Sequence, residues 1–285
     1  MKQLYDIVKE GLFDIDKLEG SDGLEISSEQ MKQDIIDWIS EHYKGFSIDS
    51  RYPALKIDDL EIDMTTSPPT VNSKGGLGFK LFNNSNSLNN NGMFKFGKVK
   101  NFTCKSNQQL TTLEGAPEEV EKIFDCTYCN RLRNLKGAPK KTDYFVCKKC
   151  NGLKNLKYCT PDADVLDCSE CENLISLEGA PKNANWFYCS DCISLESLKH
   201  SPTKVNGNYI CNGCTSLEDL EGAPQEVGRD FDCSWCQLES LKGCPKKVKN
   251  NFIYKRDKDT TSITNDEIMN VCEIGGLLKD NPLWD

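Results

Sequence analysis

The chain has 285 residues, which is enough for one long domain or two smaller ones. Its net charge of -9 and pI of about 5.0 argue against a surface for nucleic acid or anionic membrane, because both reward an excess of Lys and Arg. No apolar run approaches the roughly 18 residues that a membrane span needs.

Residues 1–53 are interpreted as an N-terminal leader followed by a capping helix. The first 20 residues lack the apolar core and basic start of a signal peptide, so we expect a cytoplasmic protein whose 16 cysteines are free thiols. A helix is predicted over 28–43, with Ser27 as N-cap and Gln30 as its capping-box partner. Its predicted apolar face consists of Met31, Ile35, Ile36 and Ile39.

Residues 54–98 are interpreted as one or two degenerate repeats or a cap. Phe79, Leu81, Asn84 and Leu88 come close to the repeat pattern described below. The Asn/Ser-rich run from Asn83 to Asn91 equally fits a disordered loop, so the two interpretations remain open here.

Residues 99–257 repeat one motif with a period of 21 or 22 residues, as in "FDCTYCNRLRNLKGAP" from Phe124. Most units place an aromatic residue or Leu two residues before a first Cys, which is followed by two residues, a second Cys and two leucines. The first-position residues of successive units are Cys104, Cys126, Cys147, Cys168, Cys189, Cys211 and Cys233. A repeat of this length is one turn of a solenoid.

The pattern inside each unit matches the leucine-rich-repeat template with one extra residue before the first Leu. Phe124 and Cys126 are alternate residues of a predicted strand, so both side chains should enter the core. Cys129 occupies the turn position normally held by Asn, where a polar side chain satisfies backbone groups. We therefore expect a mainly β solenoid with a leucine-rich-repeat-like parallel sheet, short helix-poor convex turns and α-helical caps at both ends.

The "GAP" that ends most units predicts a turn onto the return side, because Gly permits positive φ and Pro fixes φ. A valine three residues after the proline is the expected inward contact of an extended or polyproline-like return. These valines are Val120, Val205, Val227 and Val248.

The paired cysteines also meet a zinc-site spacing, since 17 residues separate Cys129 from Cys147. Any repeat of this period meets that spacing automatically, and the first unit carries Asn107 where the others carry the second Cys. We expect packing rather than metal binding and no cofactor; zinc between neighbouring coils remains the alternative. Its ligands would be Cys126, Cys129, Cys147 and Cys150. A redox site is disfavoured, because the strand-to-helix context of reactive Cys-x-x-Cys pairs is missing.

The string "FDCSWCQLESLKGCP" from Phe231 resembles the repeats of Cys-bearing leucine-rich-repeat proteins of tailed bacteriophages and bacteria. The resemblance covers roughly residues 77–255 and implies the architecture strongly. It implies function only weakly, because one fold hosts many functions.

Residues 258–285 are interpreted as a C-terminal cap. Thr264 and Glu267 form a predicted capping box, and Ile268, Val271 and Cys272 indicate a short closing helix. Trp284 is expected to contact this cap.

The outward positions of the predicted sheet carry aromatic and charged residues that the core does not need. Such aromatics are enriched at protein interfaces, although stacking along the ladder would also explain them. The candidate binding surface consists of Asp125, Tyr128, Tyr144, Lys148, Lys149, Trp186, Tyr188 and Trp235.

The sequence thus predicts a non-catalytic protein-interaction scaffold that binds a protein on its concave face. The resemblance implies that the scaffold is phage-encoded and that its partner is a host or phage protein. A virion or assembly component is the alternative. We expect no enzymatic activity, because no nucleophile–base set, phosphate loop or paired-carboxylate motif is recognisable. We also expect no nucleic-acid or membrane partner, and the oligomeric state remains open.

Overall fold

The computed structural model describes residues 28–45, 60–63, 68–79, 88, 94–255 and 263–280. It shows a mainly β solenoid of about eight turns built on a parallel sheet, as the repeats predict. Helix α1 spans Ser28–His42 and is followed by β1, Tyr43–Gly45, and β2, Leu60–Asp63. Both strands pair antiparallel with β3, Thr70–Phe79.

From β3 onward the main sheet grows by parallel addition of one strand per coil. Its remaining strands are β4 Lys95–Thr103, β5 Glu119–Asp125, β6 Lys141–Val146, β7 Asp162–Asp167, β8 Trp186–Tyr188, β10 Tyr209–Ile210, β12 Phe231–Asp232, β14 Phe252–Tyr254 and β16 Leu278–Asp280. A second sheet of four parallel strands contains β9 Lys204–Val205, β11 Glu226–Val227, β13 Lys247–Val248 and β15 Glu273–Ile274.

The core is a set of ladders in which equivalent residues of successive coils lie directly over one another. Phe124 stacks on Phe145 with ring centroids 5.2 Å apart, and Phe187 stacks on Tyr209 at the same spacing. The first and second cysteines are buried, and so are the two leucines of nearly every coil. The inward positions predicted for Phe124 and Cys126 are confirmed. Each coil therefore buries its apolar residues against its neighbours rather than within itself.

Tyr209 and Ser201 are a matched pair of departures from the repeat. Tyr209 stands where most coils have Phe, and Ser201 stands where most have the Ala of "GAP". The Tyr209 hydroxyl lies 2.8 Å from Oγ of Ser201, so the added polar group has a partner inside the core.

The return valines Val120, Val205, Val227 and Val248 are all buried, which confirms their predicted inward contact. In the last coils the return segments are also hydrogen-bonded to one another as strands. Val205, Val227 and Val248 belong to the second parallel sheet, where Val227 pairs with both of the others.

The predicted caps are only partly helical. In α1, Ile35, Trp38 and Ile39 are buried, and the Trp38 ring meets Phe94 edge-on at 5.4 Å. At the other end, helix α2 spans only Asn265–Val271, and β15 and β16 complete the final coil. The sheet itself therefore extends to the end of the described chain.

The capping box of α2 is confirmed, since the Glu267 amide donates to Thr264 Oγ1 and the Thr264 amide donates to the Glu267 carboxylate. Ile268 and Cys272 are buried as predicted. Val271 is not part of the buried face, because 47% of it is exposed.

Several predictions fall outside the described residues: the leader, Ser27 as N-cap, Trp284 and most of the run from Asn83 to Asn91. Leu88 is the exception within that run. It is buried, and its amide donates to the Glu114 carbonyl at 3.0 Å.

Candidate functional site

The outer face of the main sheet consists of residues that alternate with the buried ring and the first Cys. In the coil of Phe124, Ile123 and Asp125 take these outward positions. Strand pairing aligns Ile123 with Tyr144, Tyr144 with Val165, and Val165 with Trp186. The outward residues therefore form continuous rows that cross the coils at about 4.8 Å per step.

Six of these residues form what we call the apolar patch. Tyr144 is the most exposed of the aromatic members, at 45%. Trp186 and Tyr188 are half-buried, and the Trp186 indole lies against Gly207, where a side chain would clash with it. The patch consists of Ile123, Tyr144, Val146, Val165, Trp186 and Tyr188.

The apolar row changes character after Trp186. Asn208, Asp230 and Asn251 take the same position in the later coils. There, Asp230 Oδ1 accepts hydrogen bonds from the Asn251 side chain at 2.8 Å and the Asn250 side chain at 2.7 Å. These polar groups satisfy one another, so this row is apolar only from Ile123 to Trp186. In the other outward row, Ile210 pairs with Tyr188 and is also half-buried.

Acidic groups border the apolar patch. Asp125, one of the predicted contact residues, is only 8% exposed, and its Oδ1 accepts a hydrogen bond from the Thr127 amide at 2.9 Å. Its carboxylate therefore stabilises the turn and offers a partner little surface. Asp167 makes the equivalent bond to Ser169 at 3.1 Å. Burial and the nearby charge of Asp167 raise the pKa of Tyr188, which keeps this phenol protonated.

The two predicted lysines are already paired with an acid. Nζ of Lys149 lies 3.0 Å from Glu170, and Nζ of Lys148 lies 3.7 Å from the same carboxylate. The hydrogen bond to Glu170 raises the pKa of Lys149. These lysines therefore offer a partner less net positive charge than their number suggests.

Tyr128 and Trp235 do not join the apolar patch. They occupy the same position in coils five apart and are 47% and 39% exposed. Lys255 Nζ lies 4.6 Å from the centre of the Trp235 ring, so a cation already covers one of its faces. Of the predicted aromatics, the structure brings together Tyr144, Trp186 and Tyr188.

The aliphatic members Ile123, Val146 and Val165 were missed as candidate contacts. They occupy the same outward positions as the aromatics, so the repeat register contained the signal. Selecting only aromatic and charged residues passed over them.

The cysteine pairs have a structural role that the hydrogen bonds define. In every coil with a second Cys, its thiol donates to the carbonyl of the first-position residue in the preceding coil. Cys129 donates to Cys104 at 3.2 Å, and Cys150 donates to Cys126 at 3.1 Å. This confirms the prediction that Cys129 satisfies backbone groups at the turn.

The first-position thiols are completely or almost completely buried. Burial raises the pKa of Cys233, and a hydrogen bond with Cys150 together with burial raises that of Cys126. In the described part of the chain, no three His, Cys, Asp or Glu side chains converge as metal ligands would. The alternative zinc ligands Cys126, Cys129, Cys147 and Cys150 are all buried free thiols.

Comparison of the chain with protein-family models, curated proteins and solved structures found no match. Among the described residues, no helix combines the length and apolar character needed to cross a membrane.

Proposed function

We propose that the protein is a non-catalytic scaffold that binds a protein partner through the apolar patch of its main sheet. The observation that supports the proposal is the row from Ile123 to Trp186 on the outer face, in which Tyr144 is exposed, Ile123 and Trp186 are half-buried and only Val165 is buried. The core gains little from them, because the inward ladders are complete without them.

The surroundings of the patch indicate the chemistry of the partner. Asp167 lies between Val146 and Tyr188 of the patch, and Glu170 and Asp191 follow three residues after Asp167 and Tyr188 in their coils. Burial and the charge of Glu170 raise the pKa of Asp191, so a cation brought by the partner would stabilise these two carboxylates in their ionised form. We expect the partner to place apolar side chains on the patch and Lys or Arg at its edge. The resemblance of the repeats supports a phage or host protein as this partner.

A pair of matched triple variants tests the proposal. The test variant is Tyr144→Ala, Val146→Ala and Tyr188→Ala, which spares Trp186 and its packing against Gly207. The control variant is Tyr158→Ala, Ile175→Ala and Ile193→Ala. These side chains lie in other parts of the solenoid and are 65%, 41% and 46% exposed.

The readout is the partner recovered by each immobilised variant from a lysate of the source cells, followed by the affinity for that purified partner. We expect the test variant to lose at least tenfold in affinity and the control variant to match the wild type, with both retaining the wild-type circular dichroism. Equal affinity of the test and control variants would refute this location of the binding surface.

A further inference from the structure

A row of exposed side chains crosses the coils at the position directly after the first Leu of each repeat, as Arg133 follows Leu132. Backbone hydrogen bonds hold the coils in register here. The Ile175 amide donates to the Lys154 carbonyl at 3.0 Å, and the Glu196 amide donates to the Ile175 carbonyl at 3.3 Å. What we call the charged row consists of Arg133, Lys154, Ile175, Glu196, Glu218 and Glu239.

The charges of this row are segregated by sign. The two coils before Ile175 carry cations, and the coils after it carry the carboxylates of Glu196, Glu218 and Glu239. Like charges on neighbouring coils are unfavourable, since the coils are about 4.8 Å apart. In the part of the chain that the structure describes, none of these charged side chains forms an ion pair.

A second charged row, three residues further along each coil, is arranged differently. Its signs are mixed, and neighbouring coils pair with each other. Nζ of Lys157 lies 3.0 Å from the Glu178 carboxylate, and Nζ of Lys242 lies 2.8 Å from the Glu221 carboxylate. The second row is therefore satisfied within one chain. In the charged row the nearest opposite charges are two coils, or roughly 10 Å, apart, which is too far for an ion pair.

We propose that the charged row is the interface of a homodimer in which a second copy of the chain lies antiparallel across it. A two-fold axis through Ile175 brings Lys154 of each copy opposite Glu196 of the other. The same axis brings Arg133 opposite Glu218. Ile175 is 41% exposed, and its two copies would meet at the centre of the interface and bury each other.

The order of the charges favours a second copy over another partner. Along the row the signs are positive, positive, apolar, negative and negative, so the row is complementary to itself when reversed. A second copy also has the same spacing between coils, so every pair can form at once. A parallel copy would instead place like charges opposite each other, which is costly.

The charged row contains no residue of the apolar patch, so the dimer would present two patches. The affinity of one patch for its partner would not depend on dimer formation. The Ile175→Ala change of the control variant therefore leaves the patch intact, and each proposal can fail without the other.

Sedimentation velocity of the full-length protein measures the predicted self-association. The protein is studied up to about 0.1 mM, since an interface based on exposed ion pairs binds weakly. We expect a dimer at about 0.05 M salt, and a dissociation constant at least about tenfold higher at about 0.5 M salt, because salt screens these charges.

Charge reversals locate the interface. Lys154→Glu would place a carboxylate opposite Glu196, and Glu196→Lys would place an ammonium opposite Lys154, so each variant alone should be monomeric. An equimolar mixture of the two variants should form a heterodimer, because both contacts then join opposite charges. The control Lys182→Glu changes the net charge equally on the return side and should form a dimer like the wild type.

Both reversals should keep the wild-type circular dichroism, because Lys154 and Glu196 are exposed. A monomeric wild type at low salt would overturn the proposal. So would a single variant that forms a dimer as stable as the wild type, or a mixture of folded variants that remains monomeric.

Discussion

Replacing Cys171 by Ala and by Ser separates the hydrogen bond of the second-position thiol from its packing. The Cys171 side chain is fully buried, and its thiol donates to the Cys147 carbonyl at 3.1 Å. Alanine removes both the donor and the sulfur, whereas serine removes the sulfur but retains a donor.

The expected magnitudes follow from these two losses. A buried carbonyl deprived of its donor costs about 1–3 kcal/mol. The small cavity left by the sulfur adds about 1 kcal/mol. Cys171→Ala should therefore lower the free energy of unfolding by about 2–4 kcal/mol, and Cys171→Ser should recover about 1–2 kcal/mol of that loss.

Urea denaturation followed by circular dichroism measures both variants, since a changed midpoint at constant slope reports stability. If serine at position 171 is as destabilising as alanine, the thiol–carbonyl bond is not the contribution of Cys171.

Three further changes test other parts of the fold. Tyr209→Phe should cost about 1 kcal/mol in urea unfolding, and adding Ser201→Ala should cost almost nothing more, because the hydroxyl pair is then already broken. Gly179→Ala should lower the free energy of unfolding by at least about 2 kcal/mol, since φ is +96° and the new methyl would meet the backbone of the preceding coil. His200 holds positive φ at the equivalent position, so His200→Gly should be neutral or stabilising, and equal effects of the two changes would contradict this. Burial raises the folded-state pKa of Asp232, so the protein should lose stability as pH rises from the ordinary value of 3.8 through that raised pKa. In Asp232→Asn, the midpoint of urea unfolding should change less with pH across this window.

The period and polarity of the repeat were sufficient to predict the architecture. Phe124, Cys126 and Leu132 recur at fixed offsets, and a 21-residue unit has no other way to bury them than by stacking. The turn role of Cys129 was predictable for a similar reason, because Asn107 replaces Cys at that position in the first coil. Local sequence therefore determined which side chains enter the core.

The backbone conformation before the second Cys was not predictable in this way. That residue has positive φ in the seven coils from Ser106 to Trp235, yet only one of them, Gly213, is glycine. The amide of each such residue donates to the next coil, as Tyr128 does to Lys148 at 2.8 Å and Lys149 to Ser169 at 3.0 Å. Stacking of the coils thus supplies hydrogen bonds that offset a conformation the isolated sequence disfavours.

The second sheet and the limits of the apolar patch likewise required the tertiary structure. Each depends on which residue of one coil lies over which residue of the next, and a shift of one residue would change every such pair. The sequence by itself determined what each coil buries, because burial follows from the pattern within one repeat. Only the stacked structure decided what neighbouring coils present together on the surface, because that depends on the register between repeats.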